Sequence, residues 1–293
     1  MTPGARISAA IEILDAMAEG TPAEQAMTRW ARSSRFAGSK DRAAVRDHVF
    51  DVLRQRRQVA HMGHGETGRG LMIGLLRVQG IDPAPLFNGE GHAPRPLAEA
   101  ELEVPLPPTD EATAWNLPDW IIPEFKASLG DRADLTAKAL QTRAPVTLRV
   151  NVARVNVIAA MEKLSQEGIE TRANPLAPTA LTVIAGERKI RNSFSYSEGD
   201  IELQDASSQA VVAAMPHGAR VLDYCAGGGG KALAIAMDYD TAVFAHDIDP
   251  ARMRDLPARA TRAGVTVHHL DAENMTAQTQ FDVVLCDAPC SGS

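Results

Sequence analysis

Apolar residues recur at helical spacing over the first 80 positions. Ile7, Ile11, Leu14 and Ala18 fall at intervals of 4, 3 and 4 after Thr2-Pro3, an N-cap residue followed by a proline suited to the first helical position. Gly20 ends that helix, and Thr21-Pro22-Ala23-Glu24 reads as a capping box that opens a second. Ser39 or Asp41 caps a third, in which Val45, Val49 and Val52 share one face while arginines take the other. Leu71 to Val78 adds a further apolar segment. Residues 1–80 therefore predict an all-helical bundle.

The pattern then changes twice. Residues 81–140 carry many prolines and acids, including Pro105-Leu106-Pro107-Pro108, and predict an extended linker with one short helix between Trp115 and Leu129. Residues 141–203 predict a small α+β module: a strand at Val146–Asn151, a helix marked by Val157, Met161 and Leu164 and closed by Gly168, and returning strands at Ile169–Thr171 and Leu181–Ile184. From residue 204 onward the repeat is strand, turn, helix. Strands at Val221–Ala226, Ala242–Asp247, Val265–Leu270 and Phe281–Ala288, separated by helical stretches, predict right-handed crossovers and the start of a doubly wound parallel sheet.

Composition narrows the class without naming it. At 45% hydrophobic and 23% charged, the chain has the make-up of an ordinary globular protein. No apolar run approaches the roughly 20 residues that span a bilayer, and the N-terminal segment, broken by Glu12 and Asp15, is unlike a signal peptide. Cys225, Cys286 and Cys290 form no CxxC and no paired framework, so neither a structural metal nor disulfides are expected, and a cytoplasmic, monomeric protein is. The net charge of −7 argues against a general nucleic-acid coat. The charge is uneven, however: Arg29, Arg32, Arg35, Lys40, Arg42, Arg46, Arg54, Arg56 and Arg57 crowd the first sixty residues, either as a solvated helical face or as a local surface for RNA.

The first strand of the last region runs into a glycine turn, Asp223-Tyr224-Cys225-Ala226-Gly227-Gly228-Gly229-Gly230-Lys231. Glycines between strand and helix let backbone approach a ligand, and the helix N-terminus favours electron-rich groups. The P-loop pattern fails, because Cys225 stands where its first glycine is required and Ala232 follows the lysine. The dinucleotide pattern G-x-G-x-x-G/A is formally met by Gly227, Gly229 and Ala232, with Asp247 downstream as a ribose ligand. The turn alone thus leaves a nicotinamide cofactor and S-adenosylmethionine both open. Asp223 favours the second: a carboxylate just before the turn repels a pyrophosphate but suits the amino group of a methionine moiety. Asp247 can take both ribose hydroxyls and Asp271 an adenine amino group, although Asp271 reads equally as a helix cap.

The last strand delivers Cys286-Asp287-Ala288-Pro289-Cys290. Cytosine C5 is a weak nucleophile; a thiolate adding at C6 makes C5 electron-rich, and an acid on the N3/N4 edge stabilises the charge that forms. Asp287 is the candidate for that edge and Cys290 the candidate thiol, whereas Cys286 reads as a small buried hydrophobe.

These residues resemble a known family. Asp223 to Lys231 is similar to the first motif of the RNA 5-methylcytosine methyltransferases, Asp247-Ile-Asp-Pro-Ala-Arg-Met to their second, and Asp287-Ala-Pro-Cys-Ser-Gly to their fourth. Gln204 to Gln209 resembles the segment entering the catalytic domain, and Arg149-Val-Asn151 a segment of the RNA-binding module. The N-terminal bundle, with Arg35-Phe36 and Asp41-Arg42, is similar to the NusB-like domain of the 16S ribosomal RNA branch, the RsmB (Sun/Fmu) group. The resemblance implies a Rossmann-like, S-adenosylmethionine-dependent α/β domain behind an all-α NusB-like bundle and an α+β module. It implies a cofactor held by Cys225, Ala226, Gly227, Gly228, Gly229, Gly230, Lys231, Asp223, Asp247, Asp271 and Asp287, with RNA as partner. Asp287 and Cys290 are then catalytic, Cys290 assisting product release. In the family the C6 nucleophile belongs to a later Thr-Cys motif, so the chain is expected to be a fragment without turnover of its own. Gly228 stands where many members have proline. Two other readings stay open: a DNA cytosine-C5 methyltransferase, and a non-catalytic RNA-binding or assembly factor on a methyltransferase scaffold.

Overall fold

The computed structural model describes residues 1–271, 274 and 280–288, and divides into two units, residues 1–144 and 145–293. The first unit begins with helices α1 (Pro3–Ala18), α2 (Ala23–Ser33), α3 (Ser39–Arg54), α4 (Arg56–Met62) and α5 (Gly68–Val78). The Thr2 hydroxyl caps α1 by accepting from the Ala5 N–H at 3.2 Å. Ile7, Leu14, Val45, Val49, Val52 and Leu71 meet in the core, as the periodicity predicts, with Ile11 packed against it; Ala18 is exposed, and Ile13, outside the predicted stripe, is buried.

Two expected caps are made differently. Thr21 does not cap α2. Its N–H closes α1 onto the Ala16 carbonyl at 3.1 Å, and Pro22, which has no side-chain acceptor, takes the cap position. The third helix starts at Ser39 behind Gly38, with no side-chain cap. Asp41 instead accepts from the Met1 amine at 3.2 Å and from Arg6 Nε at 2.8 Å, tying α3 to the N-terminus. These cations hold its carboxyl below the usual range.

Helices α4 and α5 approach backbone to backbone. A Cβ on Gly74 would collide with the Val59 carbonyl, and one on Gly63 with the Gly70 carbonyl. Only glycine permits this contact, so the fit of α5 is steric as well as apolar.

Residues 81–140 hold more than a linker with one short helix. They carry α6 (Glu99–Leu102), α7 (Glu111–Trp115), α8 (Ile122–Leu129) and α9 (Ala133–Leu140). Their few large apolar residues find partners, which composition does not reveal. Phe87 is buried in the bundle core beneath the Arg69 guanidinium, 4.9 Å from its ring, and Arg69 also grips Glu101 at 2.7 and 2.8 Å. Trp115 packs with Ala133 and Ala137, and Asn116, at φ 56°, accepts from the Gln58 N–H of α4 at 3.0 Å.

In the second unit, β1 (Thr147–Val150), α10 (Val157–Gln166), β2 (Glu170–Ala173), β3 (Ala180–Ala185), α11 (Phe194–Ser197) and β4 (Ile201–Leu203) form a small α+β module. Its antiparallel sheet has the order β2-β3-β1-β4, and Leu148, Leu164, Ile169, Leu181 and Ile201 fill its core. Strand β4 has no signature in the sequence because three residues are too few to show alternation; its pairing with β1 defines it.

There follow α12 (Ala206–Ala213), β5 (Arg220–Asp223), α13 (Gly230–Ile235), β6 (Ala242–Ala245), α14 (Leu256–Ala263), β7 (Val267–His269) and β8 (Val283–Leu285). The four strands are all parallel, in the order β7-β6-β5-β8. This is the expected doubly wound α/β arrangement. From β5 the chain moves first to one side and then to the other, which opens a crevice at the carboxyl ends of β5 and β8.

The close approach of α4 and α5 is testable. Gly74→Ala should destabilise the protein by about 3 kcal/mol through overpacking, whereas Gly38→Ala, whose Cβ would lie 3.7 Å from Asp41, should cost only tenths. Equal urea midpoints for the two variants would show that the helices are not in backbone contact.

Candidate functional site

Because the strands are parallel and in register, their carboxyl ends line up, and each carries an aspartate. In sheet order these are Asp271 two residues past β7, Asp247 two past β6, Asp223 closing β5, and Asp287 two past β8. The structure thus brings together acids spread over 65 residues of sequence.

Asp223 is the most confined, at 1% exposure. Its Oδ1 is buried and has no hydrogen-bond partner among the described residues. Burial pushes its carboxyl up to about 6, opposed by Lys231 and by the Ala232 N–H, and assisted by the charges of Asp287 and Asp247. A buried acceptor without a donor is expensive, and such a group marks a place where a donor arrives from outside.

The turn after β5 wraps this carboxylate. Gly227 and Gly229 sit in the left-handed region at φ 52° and 79°, and a Cβ on Gly229 would strike Leu256. The Gly229 N–H closes the turn onto the Ala226 carbonyl at 2.8 Å, and the Ala226 N–H reaches the His246 carbonyl at 2.9 Å. Cys225 is partly buried, and burial together with the neighbouring Cys286 and three aspartates pushes its thiol up, so it is a poor nucleophile.

Asp247 is buried but paired. It accepts from the Gly227 N–H at 2.9 Å, from the Asp249 N–H at 3.0 Å and from Arg252 at 3.3 Å. Burial opposes ionisation here, but these donors win and its carboxyl lies below the usual range. Asp271 is exposed, and its two oxygens accept from the Asn274 backbone N–H at 2.7 Å and side-chain amide at 2.9 Å. Asp287 is exposed and accepts from Lys231 Nζ at 2.5 Å, so Lys231 bridges the crevice from turn to strand. Cys286 is exposed rather than buried, because β8 ends at Leu285 before reaching it. Cys290 lies outside the described residues.

Sequence reasoning gave no site role to Arg252, Arg149, Glu202 or Arg259, although the first and second stand in motifs it quotes. Arg252 was legible in principle, five residues from Asp247. The others act across modules: Arg149 of β1, 3% exposed, donates to the Gly230 carbonyl at 2.7 Å over a separation of 81 residues. Among the described residues, no group of three or more metal-ligating side chains gathers, and no helix is long and apolar enough to cross a membrane.

Comparison with known proteins agrees with this geometry. The model of the 16S rRNA methyltransferase RsmB/F family matches residues 210–293, and that of a ferredoxin-like domain of RsmF/B-like methyltransferases matches residues 117–188. Ribosomal RNA small subunit methyltransferase B of Xylella fastidiosa is 32% identical over 289 residues, covering 87% of this chain and 68% of the relative. The chain belongs to this methyltransferase B family. The relative of the same name from Xanthomonas campestris is 31% identical over 186 residues, which span 60% of this chain and 42% of that protein. Among solved structures, a methyltransferase homolog protein from Pyrococcus horikoshii is 26% identical with a TM-score of 0.55, covering 64% of this chain and 65% of its own. The crystal structure of PH0851 shares the fold over 99% of this chain and 75% of that one, with a TM-score of 0.67 at 20% identity. The α/β domain accordingly has the Rossmann-like methyltransferase fold of the family.

The state of Asp223 predicts a pH effect. An aspartate that titrates at 3.8 when free and at about 6 when folded binds its proton more tightly in the native state. Stability therefore falls as pH rises through that window and is flat above it. Asp223→Asn removes the cost, and should be more stable than wild type by roughly 3 kcal/mol at about pH 7, the gap closing near pH 4. A variant less stable than wild type at neutral pH, measured by urea unfolding, would mean that the carboxylate is already satisfied.

Proposed function

We propose that the α/β domain binds S-adenosylmethionine and that the protein transfers a methyl group to C5 of a cytidine in RNA, with 16S ribosomal RNA as the substrate its relatives' names indicate. The observation that carries the cofactor reading is the buried Oδ1 of Asp223, which has no partner among the described residues, beside a glycine turn. An ammonium group supplies the missing donor and the opposite charge, whereas the pyrophosphate of a dinucleotide brings neither. The family's fold supports the same choice.

In this reading Asp223 holds the amino group, and the backbone of Cys225, Ala226, Gly227, Gly228, Gly229, Gly230 and Lys231 cradles the rest of the methionine moiety. Asp247 takes the ribose hydroxyls with the lone pairs its backbone donors leave free, one of them given up by the 3.3 Å contact of Arg252, and Asp271 faces the adenine amino group. S-adenosylmethionine supplies an electrophilic methyl group. The protein's own part is orientation: Asp287, steadied by Lys231, hydrogen-bonds the N3/N4 edge of the target base and stabilises the charge that forms on it. The nucleophile that adds at C6 would be the thiolate of the family's later Thr-Cys motif, and the thiol of Cys290 would assist its elimination once the C5 proton is lost, which frees the methylated base. The arginines of the first sixty residues provide contacts to RNA phosphates.

Calorimetry should show binding of S-adenosylmethionine and none of NAD, with affinity reduced at least about tenfold in Asp223→Ala, the loss expected for one charged contact. Because the carboxylate must be ionised to hold an ammonium, affinity should fall below about pH 6 and plateau above it. Preference for NAD, or an unchanged affinity in the variant, overturns the cofactor reading. The substrate reading is checked in cells: deleting the gene should remove a 5-methylcytidine from 16S ribosomal RNA in bisulfite sequencing. An unaltered RNA pattern alongside loss of a DNA mark would favour the DNA methyltransferase alternative.

A further inference from the structure

Two carbonyls of the glycine turn are held by arginines that the small α+β module either supplies or positions. Arg149 of β1 is 3% exposed, and its guanidinium donates to the Gly230 carbonyl at 2.7 Å and to Gln204 Oε1 at 2.6 Å. Directly opposite it in the register of β1 and β4 stands Glu202, also buried. Glu202 accepts from Arg262 at 2.6 Å and from Arg259 Nε at 3.4 Å, and Arg259 in turn donates to the Gly228 carbonyl. One cross-strand pair of the small α+β module thus anchors two alternate carbonyls of the turn.

Both anchored peptides matter to the crevice. The peptide after Gly228 carries the Gly229 N–H, which closes the turn onto Ala226, and the peptide after Gly230 leads into Lys231, which reaches Asp287. A run of four glycines has little intrinsic stiffness, so it needs external holds if its N–H groups are to stay aligned before a ligand arrives. Burying a guanidinium is costly, and an apolar side chain would fill the same space more cheaply if filling were all the seam required.

We infer that Arg149, and Arg259 held by Glu202, are positioning residues for the glycine turn, so that the α+β module completes the cofactor site rather than merely adjoining it. This inference rests on the assignment of the turn to S-adenosylmethionine. The alternative is a plain structural seam, for which Asn151 serves as the comparison. It is 4% exposed and its amide donates to the Gly199 and Ala263 carbonyls at 3.0 and 2.8 Å, bridging the same module to α14 without touching the turn.

The test compares Arg149→Met, Arg149→Lys, Arg259→Ala and Asn151→Ala by calorimetry with S-adenosylmethionine, well below each variant's melting temperature. Arg149→Met should bind roughly tenfold more weakly, as expected for the loss of a charge-assisted hydrogen bond, and Arg149→Lys should recover part of the loss by keeping one donor. Asn151→Ala should melt earlier yet bind within about twofold of wild type. Should Arg149→Met fail to fold, the more exposed Arg259→Ala reads the same hold. Unchanged affinity in Arg149→Met and Arg259→Ala, or an equal loss in Asn151→Ala, overturns the inference. Amide hydrogen exchange without cofactor separates this outcome from failure of the cofactor reading. If wild type binds no S-adenosylmethionine but Arg149→Met still speeds exchange at 227–231 and Asn151→Ala does not, the cofactor reading falls and the positioning role stands. Unchanged exchange overturns the positioning role.

Discussion

The burial of one carboxylate, that of Asp223, is the constraint around which the α/β domain is arranged. A charge at 1% exposure, with an oxygen that has no partner among the described residues, is tolerable only where something offsets it. Lys231 offsets part of the charge from across the turn, and the rise of the carboxyl to about 6 measures what remains. Parallel pairing of β5 with β6 and β8 makes the position unavoidable, because it places the end of β5 between two neighbours that end at the same level. The same register brings Asp247 and Asp287 alongside, each with its own cation, Arg252 and Lys231. The acceptor left without a donor among the described residues is that of Asp223, which a cationic, amino-bearing ligand would complement.

The turn that faces this charge is soft by composition and firm by context. Its glycines allow the left-handed geometry at Gly227 and Gly229, but four in succession leave it free to move. Strand ends, the His246 carbonyl and Asp247 hold it from within the domain. Arg149 holds it from the α+β module, and Arg259 of α14 holds it while paired with Glu202 of that module. The N-terminal unit solves a related problem with the opposite use of glycine: Gly63 and Gly74 let α4 and α5 close to backbone contact, so that two short helices make one rigid layer.

Much of this was legible in the chain. The 3.6-residue periodicity of Ile7, Ile11 and Leu14 and of Val45, Val49 and Val52 marked helices correctly, because a helix packed on one core repeats its apolar face locally. The four strands of the parallel sheet were found, with ends a few residues long, since apolar runs do not record where pairing stops. The acids at the strand ends were visible because each follows its strand directly. Where reading failed, the deciding partner lay far away. Thr21 lost its capping role to Pro22 and to the closure of α1, Asp41 left its helix for Met1 and Arg6, and Cys286 proved exposed because β8 stops short of it. Strand β4 and the linker helices depend on Leu148 and Trp115 for partners, which no local window contains.

The periodic helices, the strands of the parallel sheet, the glycine turn, the aspartates that follow the strands and the family to which these motifs belong are all written in the chain. All of these are properties of neighbouring residues, set by backbone sterics and by the two periods of helix and strand. Which charges are buried, which are paired and what holds the turn follow from packing instead. Asp223 and Asp247 look alike in sequence, each an acid at the end of an apolar strand. Desolvation raises the first and backbone donors lower the second, and both effects depend on atoms brought close by folding. Arg149 makes the same point across 81 residues: its chemistry is written in the chain, but its partner is set by the packing of one module on another.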